Sequence, residues 1–435
     1  MWCGTMSSSR ERQTDIAWET LFEKYDILRK VEEHGSFEIS AKQIKEVREP
    51  RLMAKFDHSI NLPRIFSDNT LAILPITRGD YVIAHFKAYH EFEVEDTLIE
   101  RASLPTYIQS LDPSKITSET IALNCAVASG IIADFLQDEE IVSTVSGRMG
   151  SGSFSFDIMN SRINTPLFIE VTNSQIEIDA AYEGVKGLAL IEAKLDLSDD
   201  FLIRQLYYPF RVWQNRIRKP VRTLFLVYSN GVYRLSEYEF QDPNHYNSLV
   251  LVSQRNYSIQ DSIIEIIDIQ NVLQQAVIEP EPKIPFPQAD SFERVINICE
   301  LLNEQELSRN EVTEQYAFDV RQTNYYTAAA RYLGLLEKKK DGATPIYSMS
   351  DKGRRILNSD FKERQLAYCS CILSHKAFND TLQRYFESGN MPSTDVIIEI
   401  MKRANLYNMT SHTTFERRSS TVKSWVNWII GLIGE

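Results

Sequence analysis

At 435 residues the chain exceeds what one ordinary hydrophobic core holds, so two or three domains are expected. Its 43% hydrophobic and 25% charged content excludes a disordered chain, and no apolar run approaches the roughly 18 to 20 residues of a membrane span. The formal charge of −13 argues against a uniformly basic nucleic-acid binder, although Arg204, Arg211, Arg216, Arg218, Lys219 and Arg222 fall in one stretch without an acid. Residues 1–13 lack the layout of a signal peptide and read as a short frayed tail, within which Met6 is an alternative start. The five cysteines, Cys3, Cys125, Cys299, Cys369 and Cys371, have neither zinc nor redox spacing. They read as reduced thiols of a cytoplasmic protein.

In chain order, 14–104 reads as a small winged-helix-like module. A helical pattern through Ile16, Leu21, Phe22, Tyr25, Leu28 and Val31 stops at Gly35, a short helix follows over 40–47, and strands at 71–76 and 81–86 flank a turn. The next region, 105–277, begins with a helix over 118–137 and a glycine-serine loop at 146–152. Strands are expected at 154–158, 167–171, 175–182 and 188–194, then an amphipathic helix over 199–217. A hairpin at 223–228 and 232–238 turns on Asn230-Gly231. That order predicts an α/β (α+β) fold with one mixed sheet flanked by helices. Four prolines make 278–290 an extended linker. Beyond it, 291–435 predicts three short helices and a two-stranded wing at 337–349 containing Lys338, Lys339, Lys340 and Gly342, then a helical remainder. Trp425 and Trp428 are placed in helix core.

The most informative stretch pairs Glu177 and Asp179 with Glu192 and Lys194. Strand alternation puts Glu192 and Lys194 on one face and Ile191 and Ala193 on the other, and it puts Glu177 and Asp179 on a common face. A carboxylate and an amine closing an apolar strand are costly unless they pair or hold a metal. If the two strands pair through 183–187, Asp179 faces Glu192. Phosphodiester hydrolysis needs an attacking hydroxide and relief of negative charge, and Mg²⁺ held by oxygen ligands supplies both. Asp179, Glu192 and the backbone carbonyl of Ala193 are the candidate ligands, with Lys194 orienting the attacking water. The seven histidines show no zinc spacing, and the absence of a phosphate-binding Gly-x-x-x-x-Gly-Lys loop argues against ATP.

An aspartate, a gap of twelve residues, and Glu-x-Lys closing an apolar strand resemble the PD-(D/E)XK nuclease superfamily, with Ile178 standing where its name has proline. The helix with Glu119, the Gly-Ser stretch with Arg148 and the helix near Gln205 follow the order of that core. The stretches 49–57 and 321–326 resemble type II restriction enzymes, so the resemblance runs along most of the chain. It implies a restriction-endonuclease-like sheet, Mg²⁺ with Mn²⁺ as substitute, double-stranded DNA as substrate, no membrane and a homodimer matched to a palindrome. It also makes Glu119 an auxiliary metal residue, though a charge favoured by the helix dipole serves equally. Glu177 is either an auxiliary acid or a solvent-facing strand residue.

Candidate DNA contacts are the stripe Arg204, Arg211 and Arg218, with Gln205 beside it, and Arg148, Arg51 and Lys55. In the C-terminal module they are Gln322, Thr323, Asn324 and Tyr325 at the start of a recognition helix, with Lys338 and Lys339 on the wing. The alternatives are a solvated helix face and a hydrophilic turn. The combined expectation is a sequence-specific type II restriction endonuclease. A repair or modification-dependent nuclease of the same superfamily and an inactive DNA-binding regulator stand as rivals.

Overall fold

The computed structural model describes residues 13–93, 98–259, 263–316, 318–341 and 344–434. Cys3, the tail before Gln13, the side chain of Lys340 and Gly342 lie outside the described residues. Gln13 itself opens a helix instead of belonging to a frayed tail.

A seven-stranded mixed sheet forms the centre. Its strands in chain order are β1 (Ile99–Arg101), β2 (Val142–Gly150), β3 (Gln175–Glu183), β4 (Leu188–Lys194), β5 (Val221–Ser229), β6 (Val232–Phe240) and β7 (Leu249–Ser258). Across the sheet they run β1-β7-β6-β5-β4-β3-β2. β4 and β5 are parallel, as are β7 and β1, and the other neighbours are antiparallel. Three helices cover this sheet: α1 (Glu119–Ala128), α2 (Ile131–Leu136) and α3 (Arg204–Gln214). On one face Leu206, Tyr207, Tyr208 and Val212 of α3 pack against Leu188, Leu190, Phe225 and Val227. On the other, Leu123, Ala126, Ile132 and Phe135 pack against Ala189, Ile191, Leu224 and Leu226. β4 is thus covered on both sides, which is why it reads as a continuous apolar run.

Three expected elements differ. The helix over 118–137 is two helices, because Gly130 adopts φ 80 after Ser129 caps the first. The glycine-serine loop is the edge strand β2, accommodated by Gly147 at φ 86, and only Ser151 and Gly152 turn the chain into Ser153–Met159. The helix over 199–217 begins late: Asp200–Leu202 is a short strand paired with Tyr89–Glu91, and α3 starts at Arg204. The Asn230-Gly231 hairpin forms as expected, with both residues at positive φ.

The two flanks share one plan. Near the start, the helices Gln13–Tyr25 and Ile27–His34 meet at a left-handed Asp26, where the sequence pattern had suggested one helix ending at Gly35. The strand Ser36–Ser40, a helix Ala41–Ile44 with a Ser40/Gln43 capping box, the short helices Pro50–Met53 and Arg64–Asp68, and the hairpin Ala72–Pro75 and Asp80–Ala84 follow. The first strand lies against the last. Toward the end, Phe292–Glu304, Leu307–Ser308, Arg309–Gln315, Val320–Tyr332 and the hairpin Leu336–Asp341 and Thr344–Met349 repeat the order, again with the first strand against the last. That is the element order of a helix-turn-helix with a wing.

The packing joins neighbouring regions. Ala72, Leu74 and Val82 of the N-terminal hairpin enter the central core together with Ala84, Phe86 and Ala88, and β1 joins the central sheet. The proline-rich segment is no free linker: Phe286 and Ala289 are buried in the C-terminal core, which already includes Ile264 and Ile269. Trp425 and Trp428 lie in that same core, as expected. Among the described residues, no helix is long and apolar enough to cross a membrane.

Candidate active site

Alternation along β4 puts Leu188 and Leu190 into the core under α3 and continues to Glu192 and Lys194 on that side, at the strand's carboxyl end. The carboxyl ends of parallel strands are where open α/β sheets present their ligands. β3 arrives differently. Ile176, Ile178 and Ala181 all belong to the α3-side core, a spacing strict alternation cannot produce. The strand therefore carries an extra residue here, and its register with β2 shifts between Val145 and Gly147. A bulge of this kind re-aims a side chain. Asp179 sits at it: the ladder with β4 stops at the pair Ile191 and Ala180, and Asp179 Oδ2 accepts the Ala193 N–H at 2.8 Å. Glu177 and Asp179 nonetheless open onto one cavity. Glu177 pairs with Arg148 at 3.1 Å, both exposed.

Lys194 Nζ donates to Glu192 Oε1 at 2.6 Å and stands 3.8 Å from Glu119 Oε1, contributed by the first turn of α1. Gln205 Nε2, from the first turn of α3, donates to the same Glu192 oxygen at 2.6 Å. Burial pushes the Glu192 carboxyl up to about 7, against the pull of Lys194, and Asp179 adds to the rise. Burial alone would discharge Lys194, but Glu192, Asp57, Glu119 and Asp179 outweigh it and hold the amine above the ordinary lysine range. Glu119 is also raised, first by burial, with Lys194 opposing.

These groups face a cavity of about 560 Å³ that sequence reading had placed only in part. The N-terminal module supplies Asp57 and His58, the segment after β4 supplies Asp196, and the C-terminal module supplies Glu314 and Gln315. His58 is buried. Its Nε2 lies 3.2 Å from Asp196 Oδ2 and its Nδ1 meets the Asp200 carbonyl. Burial opposes the charged form of His58, yet Asp196 raises its pKa, and in return His58 draws the buried Asp196 carboxyl below the usual range. The stretch 49–57 had drawn notice only for its resemblance, and no local pattern marked His58 or Asp196.

The donor set suits a hard divalent cation. Among the described residues no three or more acid, histidine or cysteine side chains gather as a ready metal shell. What stands at the end of β4 is two carboxylates and the Ala193 carbonyl, which accepts from Lys194 Nζ at 3.3 Å. Among the described residues, Glu192 Oε2 and Asp179 Oδ1 make no hydrogen bond, and Asp57 Oδ1 and Gln205 Oε1 are buried acceptors without a partner. The cavity's acids, Asp57, Glu119, Glu177, Asp179, Glu192, Asp196 and Glu314, outnumber its fixed cations Arg51, Lys55, Arg148, Lys194 and Arg204. An added cation would relieve that excess, and oxygen ligands favour magnesium or manganese over a softer ion.

Arg51, Lys55, Arg148, Arg204 and Gln205 thus line the same cavity as the acids. The expected arginine stripe does not hold. Arg211 is 7% exposed and its Nη1 donates to the Ser155 and Pro243 carbonyls and to the Tyr207 hydroxyl, because this side of α3 is covered by Ser153–Met159. Arg218 lies beyond the helix end. On the C-terminal module, Thr323 is fully buried and bonded to Thr313 and the Asp319 carbonyl, so it cannot reach a base edge. The Gln322 side chain caps its own helix by accepting the Asp319 N–H. Asn324 is exposed, Tyr325 accepts from Arg321 at 2.7 Å, and Lys339 pairs with Glu306 while Lys338 is exposed beside it.

Three family models match the chain, each described as a domain of unknown function: DUF6996 over residues 15–83, DUF6997 over 84–258 and DUF7226 over 294–434. The last of them begins just after the buried strap at 278–290. No curated protein and no solved structure matches the chain.

Proposed function

We propose that this chain is a magnesium-dependent endonuclease that hydrolyses phosphodiester bonds of double-stranded DNA at a short specific sequence, in the manner of type II restriction enzymes, and acts as a homodimer. The observation that carries the reading is the meeting of Asp179, Glu192 and Lys194 at the carboxyl end of β4, inside a cavity bordered by Arg51, Arg148 and Arg204. Asp179, Glu192 and the Ala193 carbonyl would hold the metal, which supplies charge neutralisation at the phosphate and an acidified water. Lys194, kept charged by its acidic surroundings, donates to the attacking water or to a phosphate oxygen. Gln205 fixes the Glu192 carboxylate through its amide. Arg204 and Arg148 offset backbone phosphates, and Asn324 and Tyr325 would meet base edges.

The test is incubation with phage DNA and Mg²⁺, with Mn²⁺ in parallel. Discrete fragments are expected, and Lys194→Ala should lower the cleavage rate by roughly 10²- to 10³-fold or more while the circular dichroism spectrum is unchanged. Wild-type cutting by a folded Lys194→Ala protein would refute the assignment.

A further inference from the structure

Beside the catalytic cavity lies a smaller one of about 310 Å³, and the two share Arg51, Lys55, Asn61 and Glu314. They are two reaches of one groove, with the N-terminal module on one bank and the end of the helix Arg309–Gln315 on the other. The smaller reach adds Arg48 and Asp15. Its three cations come from one short run. Arg48 closes the turn after Ala41–Ile44, its N–H bonded to the Ile44 carbonyl at 3.1 Å, Arg51 lies on Pro50–Met53, and Lys55 follows soon after.

The two reaches differ in charge. Acids outnumber cations around the end of β4, whereas here Arg48, Arg51 and Lys55 face only Asp15 and Glu314. Asp15 is already engaged, accepting from the Arg64 N–H at 2.8 Å. Arg51 and Lys55 are exposed, and among the described residues Arg51 has neither an ion pair nor a side-chain hydrogen bond. Lys55 Nζ comes no closer than 3.8 Å to Asp57, and Arg48 donates to the Thr14 hydroxyl, a neutral partner. Elsewhere on the same module Lys24 is held by Glu46 at 2.6 Å and Arg29 by Glu33 at 2.9 Å. In a chain of net charge −13, carboxylates are in surplus, yet this run of cations is left without close ones. A row of open cations along a groove matches a row of anions, and the phosphates of a nucleic-acid strand are such a row.

We propose that this groove is the path of the DNA backbone: the strand that enters the catalytic cavity continues through the smaller reach, with phosphates on Lys55 and Arg51 and the next on Arg48. The inference rests on the nuclease reading for what occupies the larger reach. It gives the N-terminal module the hold on the phosphates next to the cut, apart from the base contacts of the C-terminal helix.

The experiment is fluorescence anisotropy of the full chain with a labelled DNA duplex of arbitrary sequence, with Ca²⁺ replacing Mg²⁺, across a range of salt concentrations. Binding without sequence preference is set by phosphate contacts, each contributing about 0.9 to the slope of log affinity against log salt. Arg51→Ala/Lys55→Ala should therefore lower that slope by about 1.8, and Arg48→Ala by about 0.9. Glu314→Lys, on the far bank, should tighten binding. Lys24→Ala/Arg29→Ala removes the same charge from cations already paired and should leave the slope unchanged. Circular dichroism checks each fold, and if Arg48→Ala does not fold the exposed pair decides alone. No binding by the wild type, an unchanged slope in folded Arg51→Ala/Lys55→Ala, or an equal loss from Lys24→Ala/Arg29→Ala would overturn the proposal. Cleavage by the wild type with an unchanged slope in that variant sinks the groove and spares the catalytic assignment, whereas a lowered slope without any cleavage does the reverse.

Discussion

Asn297 holds the C-terminal part of the chain to the strand that carries Glu192 and Lys194. It is 3% exposed, its Nδ2 donates to the Leu195 carbonyl at 2.8 Å and to Glu300 at 2.9 Å, and its Oδ1 accepts from Leu197 N at 3.1 Å and from the Tyr316 hydroxyl. Asn297→Ala removes all four bonds, and at a net ~1 kcal/mol each the loss comes to about 4 kcal/mol. Tyr316→Phe removes one and should cost about 1 kcal/mol, giving an internal scale. Urea unfolding monitored by circular dichroism measures both. Because two of the lost bonds, to Leu195 and Leu197, join the C-terminal part to the central domain, the transition of Asn297→Ala should also broaden or split. A single transition within about 1 kcal/mol of wild type would show that these bonds do not couple the modules, and the reasoning would fail.

Arg211→Met should destabilise the chain by about 2 kcal/mol, since the Ser155 carbonyl and the Tyr207 hydroxyl lose a donor while the Pro243 carbonyl keeps the Tyr207 hydroxyl. It should leave the DNA affinity of the folded protein unchanged, whereas Arg204→Ala should weaken binding and barely alter urea stability. Filter binding and unfolding separate the two. On the proposed recognition helix, Asn324→Ala should weaken binding to the cognate site by roughly 1 to 3 kcal/mol, while Thr323→Val, buried away from any base, should not alter specificity. His375, 4% exposed beside the Tyr332 ring, is held neutral by burial, then by Lys352, its pKa lowered to about 4 from 6.5. The unfolded chain binds this proton first, so stability is retained above about pH 6.5 and falls on acidification toward 4, by about 3 kcal/mol at most. Unfolding at pH 7 and 4.5 should show that loss in wild type and not in His375→Phe. Equal losses in both would refute it.

What could be read in advance was what depends on neighbours in sequence. Period-two alternation put Glu192 and Lys194 on one face, and the short connection through 183–187 pairs the two strands as far as Ala180 and Ile191, leaving Asp179 beside the end of the ladder. The bulge was not legible: Ile176, Ile178 and Ala181 share one core, and nothing in that stretch announces the extra residue. The seven-residue spacing of Arg204 and Arg211 was real, but whether a helix stripe meets solvent depends on what lies against it, and Ser153–Met159 comes from some fifty residues earlier. Asp57, His58 and Asp196 were beyond reach for the same reason: the His58 ring meets Asp200 across 142 positions, and no short motif encodes that meeting.

The cavity draws its walls from residue 51 through residue 315. As the polypeptide leaves the ribosome from its amino end, the acids of β3 and β4 emerge well before Glu314 and Gln315, and Asn297 secures the end of β4 only later still than the strand itself. A partly synthesised chain therefore displays the carboxylates without the finished enclosure. The finished cavity exists only once residue 315 has been translated.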